Sequence, residues 1–145
     1  MKKKTIYIFL VFVFLILVTG CNEKKTVVTD NNEAGESMKI FIDDIEYVFN
    51  IEDNETTKSL IDMLPLELEM TELNENEKYV YLDKSLPTNS YNPKHINSGD
   101  VMLYGDNCLV IFYKTFNTTY SYTKIGHIDD LPILQNDIIK VRIEK

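Results

Sequence analysis

The chain has 145 residues, 44% hydrophobic and 26% charged, with two cysteines, two histidines and no tryptophan. That length suits one domain with a single core. A formal charge of −8 argues against nucleic acid as a partner, because phosphate binding needs lysine and arginine to displace counterions.

In chain order, Lys2, Lys3 and Lys4 precede an unbroken apolar run from Ile6 to Val18, then the small Thr19 and Gly20, then Cys21. A charged start, an apolar middle and a small-residue end make an export signal. The apolar run is shorter than the roughly 20 residues that span a bilayer, so a retained membrane anchor is the second reading. Val18-Thr19-Gly20-Cys21 resembles the lipobox of bacterial lipoproteins. That resemblance implies a signal peptide over residues 1–20, cleavage before Cys21 and a diacylglyceryl group on its thiol. The expected location is the extracytoplasmic face of the cell membrane. Two acyl chains anchor stably where one binds marginally, at about 0.8 kcal/mol per buried CH₂. Removing Lys2, Lys3 and Lys4 takes 15 basic residues to 12 against 23 acidic ones, a charge of −11. Anionic headgroups repel such a surface, so lipid on Cys21 is the expected membrane contact. Cys108 then has no cysteine to pair with. Its neighbours Leu109, Val110, Ile111 and Phe112 mark it as a small buried hydrophobe rather than a nucleophile.

Residues 21–37 are polar after the cysteine and lack apolar periodicity, as in a flexible tether. The domain expected over 38–145 opens with strands at Lys39–Ile42 and Ile45–Ile51 around an Asp43-Asp44 turn. Asn54 is an N-cap for a helix carrying Thr57, Leu60, Ile61 and Leu64, which Pro65 stops. Leu66, Leu68 and Met70 alternate with Glu67, Glu69 and Thr71, giving a strand with an acidic outer face. Tyr79–Leu82 predicts a short strand, and Asp83–Asp100, with two prolines and Gly99, a long loop of the kind often tied to function. Val101–Tyr104 and Cys108–Tyr113 flank a Gly105-Asp106-Asn107 turn, and Tyr120–Gly126 and Ile138–Glu144 complete the strands. Seven or eight short strands and one helix make a mainly β fold, a small antiparallel barrel. A sandwich and an open α+β sheet are the alternatives.

The catalytic inventory is thin. His95 and His127 lie in different segments, neither with a histidine or cysteine at metal-ligand spacing, and no Gly-rich phosphate loop is present. The expectation is therefore no catalytic residue, no metal and no cofactor. Two segments stand out instead. One is the polar run from Leu73 to Tyr79; the other is Phe112–Thr123, where aromatics alternate with small hydroxyl residues. Tyrosine joins an apolar body to a polar tip, and such residues often line ligand sites. They also fill barrel cores, which is the plainer reading of any one of them.

Several of these pieces together resemble the bacterial cyclophilin-like domain family. They are Leu64-Pro65-Leu66, Asn76-Glu77-Lys78-Tyr79, Leu86-Pro87-Thr88, Gly99-Asp100, Leu103-Tyr104-Gly105, Phe112-Tyr113, Tyr120-Ser121-Tyr122-Thr123 and Ile125-Gly126, in order along the domain. The resemblance implies a closed eight-stranded cyclophilin-type barrel with a helix closing an end. Position 75 departs from the family pattern, which has Gly between two asparagines; Glu75 argues against a tight left-handed turn there. True cyclophilins are peptidyl-prolyl isomerases, lowering a barrier of about 18–20 kcal/mol with an apolar pocket and an arginine. Here Arg142 is the single arginine, in the last strand, and the Arg-Phe and Gln-Gly-Gly signatures of that activity are missing. The leading expectation is a tethered, non-catalytic module binding an extended peptide or small ligand. Asn76 and Glu77 would give polar contacts, and Tyr113, Phe116, Tyr120 and Tyr122 apolar walls. A weak isomerase acting on secreted chains and a partner-docking module are the alternatives.

Overall fold

A computed structural model describes residues 35–145; the expected signal peptide, the expected lipid attachment at Cys21 and most of the expected tether lie outside the described residues. The strands are β1 (Ser37–Ile42), β2 (Ile45–Ile51), β3 (Leu66–Leu73), β4 (Glu77–Tyr81), β5 (His95–Ile96), β6 (Asp100–Tyr104), β7 (Cys108–Phe112), β8 (Phe116–Asn117), β9 (Thr123–Ile128) and β10 (Ile138–Glu144). Eight of them close an antiparallel barrel in the order β1-β10-β3-β4-β7-β6-β9-β2, and β5 pairs with β8 apart from it. The fold is mainly β and closed, as expected.

Alternation along each strand divides the residues between two cores. Ile40 and Ile42, Phe49 and Ile51, Leu109 and Ile111, and Ile139, Val141 and Ile143 fill the interior. Cys108, Val110 and Phe112 point outward into a second cluster with Ile96, Met102 and Tyr122. Side chains of a strand alternate between faces, so all five residues of β7 are buried, one set on each side. On β3 the outward positions Glu67, Glu69 and Thr71 are exposed, the acidic face read from the sequence.

The helix α1 (Glu55–Ile61) begins at Asn54, whose side-chain oxygen accepts a hydrogen bond from the Thr57 N–H at 2.8 Å. Leu60 joins the barrel interior. The Thr57 hydroxyl donates to the Ile125 carbonyl at 3.2 Å, fixing α1 to β9. The chain then passes through a cis Leu64–Pro65 bond into β3. Gly126 sits at a tight point of the wall: a Cβ there would lie 2.3 Å from the Asn50 carbonyl oxygen and 2.7 Å from the Phe49 ring.

Three sequence expectations need correction. The strand read as Tyr79–Leu82 starts at Glu77, so two charged residues lie inside it, both buried. The strand read as Tyr120–Gly126 is β9, beginning at Thr123; Tyr122 makes only an isolated bridge to Tyr91. The turn before β4 is left-handed despite Glu75: Asn74 has φ 58° and Glu75 φ 57°. Two successive positive φ values are what a tight β-hairpin turn requires to match strand twist, and that demand overrides the preference of glutamate. The Asp43-Asp44 turn, with φ 47° and 66°, obeys the same rule. A left-handed non-glycine residue costs about 1–2 kcal/mol, and glycine loses about half of that gain to backbone entropy. Glu75→Gly is therefore expected to stabilise the domain by about 0.5 kcal/mol, or about 3 °C in melting temperature. A lower value in thermal unfolding would mean that the Glu75 side chain contributes more than its backbone costs.

Candidate functional site

On the outer wall of β4, β7 and β6 lies a cleft of about 300 Å³. The pleat explains its membership. Glu77, Tyr79 and Tyr81 stand at alternate positions of β4 and share its outward face. The register sets Tyr81 opposite Cys108 and Cys108 opposite Tyr104. Tyr120 and Tyr122 come over this wall from the segment before β9 and also line the cleft. The rings hold one another edge-on: Tyr79 and Tyr81 at 5.9 Å and 80°, Tyr104 and Tyr120 at 6.1 Å and 90°. Tyr122 packs edge-on against Phe112 at 5.5 Å, and Phe116 tilts onto the same ring at 5.6 Å. A smaller recess of about 200 Å³ adjoins, sharing Asn74, Glu77, Tyr120 and Tyr122 and adding Asn76 and Phe116.

Five of the six residues picked from the sequence therefore line one cleft and its neighbouring recess: Asn76, Glu77, Phe116, Tyr120 and Tyr122. Tyr113 is the exception. It belongs to the interior core, because it follows Leu109 and Ile111 on the inward face of the chain leaving β7. Its hydroxyl donates to Glu72 at 2.8 Å. Lys78, fully buried, donates to the same Glu72 oxygen and to the Asn136 carbonyl, with its ammonium 5.2 Å from the Tyr113 ring centroid. Burial pushes the Glu72 carboxyl upward, but hydrogen bonds from Lys78 and Tyr113 together with the Lys78 charge hold it below its ordinary range. Burial and then the Glu72 carboxylate push the Tyr113 hydroxyl up to about 12. Tyr113 is thus part of an internal polar network and not of the cleft.

The sequence reading missed Tyr79, Tyr81 and Tyr104. The i, i+2, i+4 spacing of Glu77, Tyr79 and Tyr81 was the available signal. That alternation is hidden when the strand is taken to begin at Tyr79, because Glu77 then falls outside it. Cys108 is buried, as expected, and forms part of the cleft floor; burial and then the nearby Glu77 raise its thiol pKa, which keeps it a poor nucleophile. Each histidine has another partner: His95 bonds Asn117 at 2.9 Å and His127 bonds Asp100 at 3.1 Å. Among the described residues no cluster of three or more His, Cys, Asp or Glu is placed to hold a metal, and no helix is long and apolar enough to cross a membrane. A further recess of about 380 Å³ lies on the far wall among Phe41, Glu67, Glu69, Lys140 and Arg142. Its two cations each face a carboxylate across strands, Lys140 opposite Glu69 and Arg142 opposite Glu67, and Asp44 also lines it.

The model of the cyclophilin-like family matches residues 40–144. The chain belongs to the cyclophilin-like family. Among solved structures, the solution structure of the hypothetical protein AF2241 from Archaeoglobus fulgidus is similar at a TM-score of 0.52 and 17% identity. That likeness covers 79% of this chain and 98% of the other, and it shows the fold alone. No functionally curated protein matches the sequence.

Within this cyclophilin-like barrel the charge that stands out is Glu77. It is 8% exposed, and burial, offset in part by a hydrogen bond from Asn74, raises its carboxyl pKa. A raised carboxyl pKa means that the ionised form is penalised in the folded state. The penalty is full above the folded pKa and vanishes below the unfolded one. Glu77→Gln is accordingly expected to raise the melting temperature at about pH 8 and to leave it unchanged at about pH 3, where both side chains are neutral. Equal melting shifts at the two pH values would show that Glu77 folds without that penalty.

Proposed function

We propose that this protein is a lipid-anchored envelope module whose cyclophilin-like domain binds an extended peptide or small ligand in the tyrosine-lined cleft, without catalysis. The observation that carries the reading is the gathering of Tyr79, Tyr81, Tyr104, Tyr120 and Tyr122 around one recess on the outer wall. Three of these rings remain widely exposed, Tyr81 at 65%, Tyr104 at 47% and Tyr120 at 62%. The barrel core does not need them there, and a concave site with aromatic walls and a few convergent polar groups is the usual form of a ligand pocket. Isomerase activity is the second reading because of the family, but Arg142 lies on β10, outside the cleft lining. It is paired there with Glu144 and stacked on Phe41 at 4.0 Å.

Screening the purified full chain for thermal stabilisation by peptides and small molecules tests the cleft. Affinity for a stabilising ligand is expected to fall about tenfold or more in Tyr120→Ala and in Tyr122→Ala. Undiminished binding in both variants would move the site elsewhere. The anchor has its own test, since mass spectrometry of membrane extracts should find Cys21 as the first residue carrying diacylglyceryl mass. A different first residue, or no acyl mass, would overturn it.

A further inference from the structure

Building on the reading of the cleft as a binding site, we propose that its ligand presents an ammonium group, seated among the tyrosines against the Glu77 carboxylate.

Glu77 lines both the cleft and the adjoining recess, yet it takes part in none of the ion pairs among the described residues. A buried carboxylate without a cation is costly. The nearby basic side chains are committed elsewhere. The pleat sends Lys78 to the interior, where Glu72 and the Asn136 carbonyl hold it. Lys114 stands over the Tyr113 ring, 5.9 Å from its centroid. Asn74 supplies Glu77 with a neutral donor, which leaves the charge uncompensated, and Glu72 adds to the negative field.

The walls favour the same ligand chemistry. Tyrosine rings attract a cation lying within about 6 Å of their centroids, and Tyr79, Tyr81, Tyr104 and Tyr120 all border the space above Glu77. An anionic ligand would meet Glu77 as a like charge, and a neutral one would shut it further from water without a counter-charge. A chain of net charge −8 draws cations toward it over longer range. The volume of about 300 Å³ lies at the small end of ligand pockets and suits a compact head group with a short tail.

Choline, Nα-acetyl-lysine amide and 3,3-dimethylbutanol (the uncharged isostere of choline) would be titrated into the full chain, with tyrosine NMR shifts and calorimetry as readouts. One of the two cations is expected to bind about tenfold or more tightly than the alcohol. Glu77→Gln is expected to erase that preference while remaining folded. The tighter cation tells a quaternary head group from the side-chain ammonium of a lysyl peptide. Equal binding of alcohol and cations, unchanged in Glu77→Gln, would overturn selection for charge and leave the cleft as a binding site. Silence of all three probes, with a library ligand still binding at Tyr120 and Tyr122, would overturn the ammonium assignment alone; with no library ligand either, both readings fall.

Discussion

Burial of β7 on both faces is the constraint from which the rest of the domain follows. A strand lying between two cores must be apolar at every position, and Cys108–Phe112 is. Its inward residues close the barrel interior, while its outward residues give the segment after it something to pack on. Phe112 takes Phe116 on one side and Tyr122 on the other. Aromatic pairs of this kind contribute about 0.5–1.5 kcal/mol each beyond the area they bury. Those contacts bend the chain between β7 and β9 back over the wall, and so Tyr120 reaches the Tyr104 ring of β6 and lines the cleft with the rings of β4. The cleft is therefore set by the barrel wall beneath it and does not depend on a free loop.

Inside, the same alternation sends Lys78 inward when Glu77 goes outward. A fully buried ammonium is tolerable only if its donors are used, and here a carboxylate, a carbonyl and a ring face meet it. Breaking such a pair by removing one member typically costs about 3–5 kcal/mol, whereas an apolar replacement of the whole group is often neutral. The network consequently specifies register more than it adds stability. A slip of β4 by one residue would carry Lys78 to the tyrosines and Glu77 into the core. Two opposite charges at adjacent positions thus hold the strand to the one register that builds the cleft.

Much of this was legible in the sequence. The Asp43-Asp44 hairpin, the Asn54 cap, the acidic face of β3 and the β6–β7 turn are local, and each is decided by a few neighbouring residues. The count of short strands already pointed to a small antiparallel barrel, whereas its closure with eight strands entered through family resemblance, because pairings such as Ile40 with Ile143 leave no local mark. Most of the chosen site residues were found through the run of aromatics, although that run is not one strand but a strand end, a two-residue strand and a bridge. Tyr113 was misplaced because the inward or outward sense of a strand depends on where its pleat begins. Lys78 defeated the reading for a different reason. A charged residue is ordinarily taken to mark the end of a buried strand, and only long-range partners, Glu72 and the Asn136 backbone, make its burial possible.

β10 lies between β1 and β3, so this strand, distant in the sequence from both neighbours, is the keystone of the wall. Until residues 138–144 arrive, β1 and β3 each present an unpaired edge, and the interior stands open along a full strand's width. Closure by such distant segments is slow compared with hairpin formation, and open edges invite pairing with other chains in the interval. A folding domain that has formed every barrel strand except β10 is thus at its most aggregation-prone, because the seams that β10 makes with β1 and β3 are both open.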